Sequence, residues 1–303
     1  MKTNSQLFGT AAALSANVIF GFSFIFSKLA LAAAHPLIIL AVRFTVAFAV
    51  MNLLLLTGKF KVALKGKPKR RLLAMAAAQP LLYFIFELYG LSMVSSALSG
   101  VIIALVPVAA TLLSAVFLKE RPTPAQIICT VISLTGISAI SIISNDGSKN
   151  YVSGVLLLAA AVICSAMFNI LSRSEAQSFS PFERTYFMFL IGSAGYILIA
   201  AAALRSRFIP ELVSALGSTD FIIGIFYLAV ISSVAAFLLY NYSTSKISVI
   251  QATSFSNIIT VVTVLAGVTI LKEHFTVAEY ILCGVIIAGV WGVNTFKAKA
   301  ADI

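Results

Sequence analysis

Three charged side chains stand where a sequence has strong physical reason to exclude them. Between residues 3 and 58 the only charges are Lys28 and Arg43, and between 72 and 118 the only one is Glu87. Charge at the centre of a membrane-spanning helix costs about 2.5–3.5 kcal/mol on insertion scales, so such residues are functional candidates. An arginine grips a carboxylate with two prongs that a lysine cannot copy. A carboxylate holds an ammonium group or carries a proton. Arg43 or Lys28 could therefore hold an anionic group, and Glu87 a cationic group or a proton. At 1.5 Å per residue, Arg43 lies about 10 Å in from the start of its apolar run and Glu87 about as far from the end of its own. Overlapping depth suggests one cluster. The competing reading is an Arg43–Glu87 ion pair that merely pins two helices, with Lys28 reaching along its stem to the interface.

Helical spacing adds uncharged candidates. Asn17, Gly21, Phe24 and Lys28 share one helix face, and Tyr83 lies one turn before Glu87. Ser165, Asn169 and Arg173 share a face, as do Thr253, Asn257 and Thr260. Amides facing lipid are costly, so these faces are expected to look inward, either to line a cavity or to bond between helices at about 0.6 kcal/mol per contact. Tyr240, Asn241 and Tyr242 form an aromatic and polar patch in which cavity lining competes with interface anchoring; Trp291 reads as an anchor. Other chemistries lack their residues. The two histidines, His35 and His274, fall at predicted span ends, no phosphate-binding loop occurs, and Cys129, Cys164 and Cys283 show no pairing or metal spacing. No enzyme and no cofactor are expected.

The elements that must position these residues follow from composition. Hydrophobic residues make up 60% of the 303, charged residues 10%, and mean hydropathy is +1.05, whereas soluble domains carry roughly 25% charged residues. Runs of about 20 apolar residues span a bilayer core. They fall at 7–31, 36–57, 72–94, 96–118, 123–144, 152–172, 183–204, 220–243, 248–271 and 276–296. The first run is too long, with too weak a basic start, for a cleaved signal peptide. With the N-terminus inside, fifteen Lys and Arg residues face the cytoplasm: Lys2, Lys59, Lys61, Lys65, Lys67, Lys69, Arg70, Arg71, Lys119, Arg121, Arg173, Arg184, Lys246, Lys297 and Lys299. Only Lys149, Arg205, Arg207 and Lys272 face the other side, an asymmetry that orients membrane proteins. The net charge of +11 thus reads as a topology signal and not as nucleic-acid binding. Both termini are expected in the cytoplasm, in a multi-pass protein of the cell (inner or plasma) membrane.

Self-similarity divides the chain. Leu118-Lys119-Glu120-Arg121 recurs as Leu271-Lys272-Glu273-His274, at an offset of 153 that also relates Thr123 to Thr276, Gly136 to Gly289 and Tyr89 to Tyr242. Earlier in each half an offset of 145 relates Ser27-Lys28 to Ser172-Arg173 and Pro36 to Pro181. The halves, 1–147 and 148–303, hold five spans each, so the second enters from the opposite side. The expected fold is all-α, with ten transmembrane helices as two inverted five-helix repeats, an architecture that places a substrate near the midplane. Arg43 falls on Met188 and Glu87 on Tyr240, so the charged cluster is not duplicated, as a ligand site need not be.

The turn at 118–123 after a span containing Pro107 resembles the EamA-type drug/metabolite transporter superfamily, most specifically at 98–137 and again at 251–290, where Thr260 departs from Pro107. The resemblance covers the whole chain and implies a secondary transporter, an exporter, of small polar metabolites such as amino acids or their derivatives. It also leaves a phosphorylated sugar or nucleotide exchanger as an alternative, and the residues leave a non-transporting accessory membrane subunit. The implied partners are a small-molecule substrate and the lipid bilayer, with a homodimer left open. The orientation has a direct test. A cysteine placed at Lys59 should resist an impermeant thiol reagent applied to intact cells and react only after permeabilisation; labelling from outside would reverse the topology.

Overall fold

Helix starts are written into this sequence in one pattern. A Ser or Thr cap is followed three residues on by Glu or Gln: Thr123 with Gln126, Ser180 with Glu183, and Thr276 with Glu279. Each pair satisfies two otherwise orphaned amides reciprocally. Pro124, Pro181 and Pro36 occupy first helical positions, where the missing amide costs nothing.

The computed structural model describes residues 2–63, 67, 69–117, 122–144, 150–175, 177–247 and 255–296, and every regular element among them is helical. In chain order these are α1 (Lys2–Leu31), α2 (Pro36–Leu56), α3 (Arg70–Met93), α4 (Ser96–Ile103), α5 (Val106–Phe117), α6 (Pro124–Ile143), α7 (Tyr151–Glu175), α8 (Pro181–Leu204), α9 (Phe208–Leu216), α10 (Thr219–Lys246), α11 (Asn257–Thr269) and α12 (Val277–Thr295). Among the described residues nine segments are long and apolar enough to cross a membrane. The protein is a multi-pass, all-helical membrane protein.

The described residues depart from the expected spans at some points and leave others outside them. The fourth span is two helices, α4 and α5, meeting at a turn at Ala104 and Leu105, with Pro107 in the first turn of α5. Of the segment expected at 248–271, residues 248–254 lie outside the described ones; α11 is 13 residues long. The motif Leu118–Arg121 also lies outside them. The short α9 follows α8 with Arg207 paired to Glu211 at 2.5 Å, a feature the hydropathy pattern did not separate. Arg184, counted with the water-facing charges, sits inside α8 and is 1% exposed, because its guanidinium donates to Ser172 O at 3.0 Å and Ser172 Oγ at 2.8 Å.

Packing follows the sequence offsets. α2 and α8 run antiparallel, shown by Thr45 Oγ1 3.1 Å from Ser193 Oγ and by Tyr186 Oη donating to Asn52 at 3.0 Å. α6 and α12 are antiparallel too, with Gln126 donating to Val293 O at one end and Ser144 to Glu279 at the other. Their contact is reciprocal. A Cβ on Gly136 would meet Ile286, and one on Gly289 would meet Ser133; both the glycines and their opposites are 153 apart. The first helix of each half packs on the third of the other, α1 on α10 and α7 on α3. Small residues let helix backbones approach this closely where lipid supplies no hydrophobic drive. Gly289→Leu should therefore lower stability by about 1–3 kcal/mol through overpacking, since backbone atoms of Cys129 and Ser133 stand 3.0 and 3.2 Å from the added carbon. Thermal melting of the detergent-purified variant checks this.

Candidate functional site

Two helices lose their regular hydrogen bonding at matching places. In α3 the stretch Ala77–Leu82 is wound as a π-helix broken at Gln79 (φ −146°, ψ 119°), before Pro80. In α10 the stretch Tyr227–Ala235 is likewise π-wound. Such segments free backbone groups that must be satisfied internally. Tyr196 Oη does this for α3, donating to the carbonyls of Pro80 and Leu81 at 2.7 and 2.8 Å. The breaks turn Gln79 and Ser232 toward a shared cavity; these two residues are 153 apart.

That cavity measures about 100 Å³, against the roughly 10–15 Å³ one water needs. Its wall is largely built of equivalent pairs. At the 145 offset Phe20, Ser23 and Phe24 pair with Ser165, Phe168 and Asn169. At the 153 offset Gln79, Phe84, Glu87, Ile103 and Val106 pair with Ser232, Phe237, Tyr240, Ser256 and Ile259. Four lining residues have equivalents outside the wall: Asn17, Arg43, Tyr83 and Pro107. The arginine is thus among the asymmetric positions of the wall.

Arg43 is 2% exposed. Its Nε donates to Ser233 Oγ at 3.0 Å and its Nη2 to Ser232 Oγ at 3.4 Å, while Cζ sits 4.3 Å from the centroid of the Phe84 ring. A stacked guanidinium gains about 0.5–2 kcal/mol from such a face. Glu87, also 2% exposed, keeps one oxygen, Oε2, buried without a hydrogen-bond partner. The two charges line one cavity yet are not among the ion pairs of the described residues, which are Lys67–Glu183 and Arg207–Glu211. No direct contact pair of the competing kind is present; Ser232, Ser233 and Phe84 hold the guanidinium instead.

The other candidates separate. Asn17 donates to Ala13 O at 2.7 Å within its own helix and faces the cavity, and Tyr240 Oη lies 3.4 Å from Asn169 Oδ1 within the wall. Tyr240 is 9% exposed, so cavity lining and not interface anchoring describes it. Its neighbours diverge: Asn241 is buried against Thr185 at 2.9 Å, and Tyr242 faces outward. Lys28 is not part of the wall. Its Nζ donates to Val94 O at 2.6 Å, beyond the end of α3, since a flexible ammonium reaches the nearest helix-terminal carbonyl. Asn257 is not in the wall either; its Oδ1 is buried without a partner while Ser256 and Ile259 take the lining positions. Thr260 donates to Gly100 O at 3.2 Å, a bond between helices. Thr253 lies outside the described residues, as does the side chain of Arg173. Sequence reasoning passed over Gln79, Ser232, Ser233 and Phe84. A Gln-Pro step inside a span and a Ser-Ser pair at the 153 offset were the available signals.

This geometry predicts a stability outcome. Arg43→Met strands two buried hydroxyls and leaves Glu87 uncompensated, at about 1–3 kcal/mol per unsatisfied group. Adding Glu87→Gln should recover less than half of the loss in melting temperature, because the serine partners stay empty; full recovery would mean that the two charges act as a simple contact pair.

The EamA-like transporter family model matches residues 7–142 and 152–295. An uncharacterized transporter, YcxC, of Bacillus subtilis is 36% identical, covering 97% of this chain and 95% of that one. A similarly described transporter of Archaeoglobus fulgidus is 25% identical over 89% of this chain and 93% of its own length. A probable terminal-alkyne amino-acid exporter of Streptantibioticus cattleyicolor is 25% identical over 156 residues, 52% of this chain and 50% of that one. A solved crystal structure superposes with a TM-score of 0.66 over 95% of this chain and 96% of its own, at 19% identity, which speaks to fold alone.

Proposed function

The chain belongs to the EamA-like transporter family, and from that premise we propose that it carries small zwitterionic metabolites, amino acids or their derivatives, out of the cell as a secondary transporter. The carrying observation is the cavity shared by Arg43 and Glu87, two opposite charges that do not contact each other. Arg43 takes the carboxylate by its free edge. Glu87 takes the ammonium, or a proton when the site is empty. The rings of Phe20, Phe24, Phe84, Phe168 and Phe237 receive the apolar remainder. The exporter named in Streptantibioticus supports amino acids as the class and outward as the direction.

The wider reading is of ten spans in two inverted repeats, 1–147 and 148–303, with both termini in the cytoplasm of a cell-membrane protein. The antiparallel α2–α8 and α6–α12 pairs and the reciprocal Gly136 and Gly289 contacts support it. Alternating access follows from inverted repeats about a midplane site. A phosphorylated-sugar exchanger would need several cations converging on phosphate; among the described residues Arg43 is the one cationic side chain in this wall.

Liposome flux over an amino-acid panel tests the proposal. The wild type should move at least one zwitterionic amino acid above empty vesicles, and Glu87→Gln and Arg43→Lys should each cut the rate about tenfold or more with most of the folded protein retained in the membrane. Two singly substituted proteins that fold and transport at the wild-type rate would remove both residues from the mechanism.

A further inference from the structure

Lys28 and the Leu271-Lys272-Glu273-His274 motif remain outside the cavity, yet the structure brings them to one spot. This is the junction between α3 and α4, where Val94 and Ser95 are extended. The turn between α11 and α12 carries Lys272 in the left-handed region (φ 57°), a strained conformation for a lysine. The turn sends the Glu273 carboxylate back over Gly267 onto the start of α4. There Oε1 accepts from Ser96 N at 2.7 Å and Oε2 from Ala97 N at 3.0 Å. A carboxylate on helix N-terminal amides gains from both the hydrogen bonds and the dipole. From the other side Lys28 Nζ donates to Val94 O at 2.6 Å. Gly267 leaves room for this arrangement: a Cβ there would stand 2.8 Å from Glu273 Oε2 and 2.8 Å from Ser96 Oγ.

We propose that Glu273 and Lys28 clamp the α3–α4 junction and thereby close the transport path on the face carrying residues 270–276. The inference rests on the alternating-access reading above. Glu273 belongs to the second half and its amide partners to the first, so a movement of one half against the other at this face must break the two amide bonds. Ser95 Oγ accepts from Leu98 N at 3.1 Å and caps α4 without touching the second half. Losing that bond weakens the helix start and leaves the clamp intact.

The test needs no substrate. In a background with Cys129, Cys164 and Cys283 replaced by Ser, Ser23→Cys places a thiol in the cavity wall, and its reaction with an impermeant thiol reagent is followed from each side of the membrane. Glu273→Ala should raise the rate at least fivefold from the clamped face and leave the opposite face unchanged. Gly267→Ala, which displaces the carboxylate without removing it, should act the same way. Glu273→Gln and Lys28→Met should give smaller rises on the same face. Ser95→Ala should match the parent. If Glu273→Ala fails to reach the membrane, Gly267→Ala and Glu273→Gln carry the comparison. Rates within twofold of the parent, an increase from both faces, or an equal increase in Ser95→Ala would overturn the clamp. Since the readout is accessibility, a failed substrate assignment leaves it unaffected.

Discussion

The hydrocarbon core contains no water, so each backbone amide and carbonyl must find its partner inside the protein. Regular helix meets that demand automatically, and where it is interrupted other groups must take over. The π-wound stretches of α3 and α10 are such departures. Tyr196 caps the carbonyls freed at Pro80 and Leu81, and the α10 stretch presents two adjacent serines to Arg43. Both irregularities face the cavity. A broken helix is tolerable there because protein and a polar interior surround it.

The same demand explains how a guanidinium survives at 2% exposure. Two hydroxyls and the rings of Phe84 and Phe44 replace part of its hydration, and none of them is a formal counter-charge. That leaves Glu87 without the contact partner its depth in the sequence suggested. An orphaned buried oxygen is costly, and Glu87 Oε2 and Ser256 Oγ are both orphaned while lining the cavity. Polar groups stranded in a cavity wall are what an arriving ligand satisfies. Arg184, equally buried, donates through Nη1 to Ser172 and keeps its Nε without a partner.

Symmetry and chemistry divide the work in the wall. Residues related by the sequence offsets supply most of its surface, and they are chiefly aromatic or small. Polar groups occur at matched positions, Gln79, Glu87, Asn169 and Tyr240 among them, while the one cationic residue of the described wall, Arg43, is unmatched. Backbone amides of the first part of the chain are gripped from the second at two places, Ser96 and Ala97 by Glu273 and Ala63 by Glu183.

Composition, run lengths and charge asymmetry determined the membrane class and nearly all the helices, because a bilayer imposes one length and one polarity on whatever crosses it. The offsets also marked Gly136 and Gly289 before their contacts were visible. Lys28 was assigned to the site on its charge and depth and Asn257 on its helical face, and the structure places both outside the cavity wall. A face defined by periodicity has a direction around one helix and no knowledge of which neighbour it meets. The break at Ala104 and Leu105, the recruitment of Ser232 and Ser233 by Arg43, and the landing of Glu273 on α4 join residues far apart in the chain. Such meetings depend on how helices pack, and small residues and local breaks decide that packing through shape, which a hydropathy pattern does not carry.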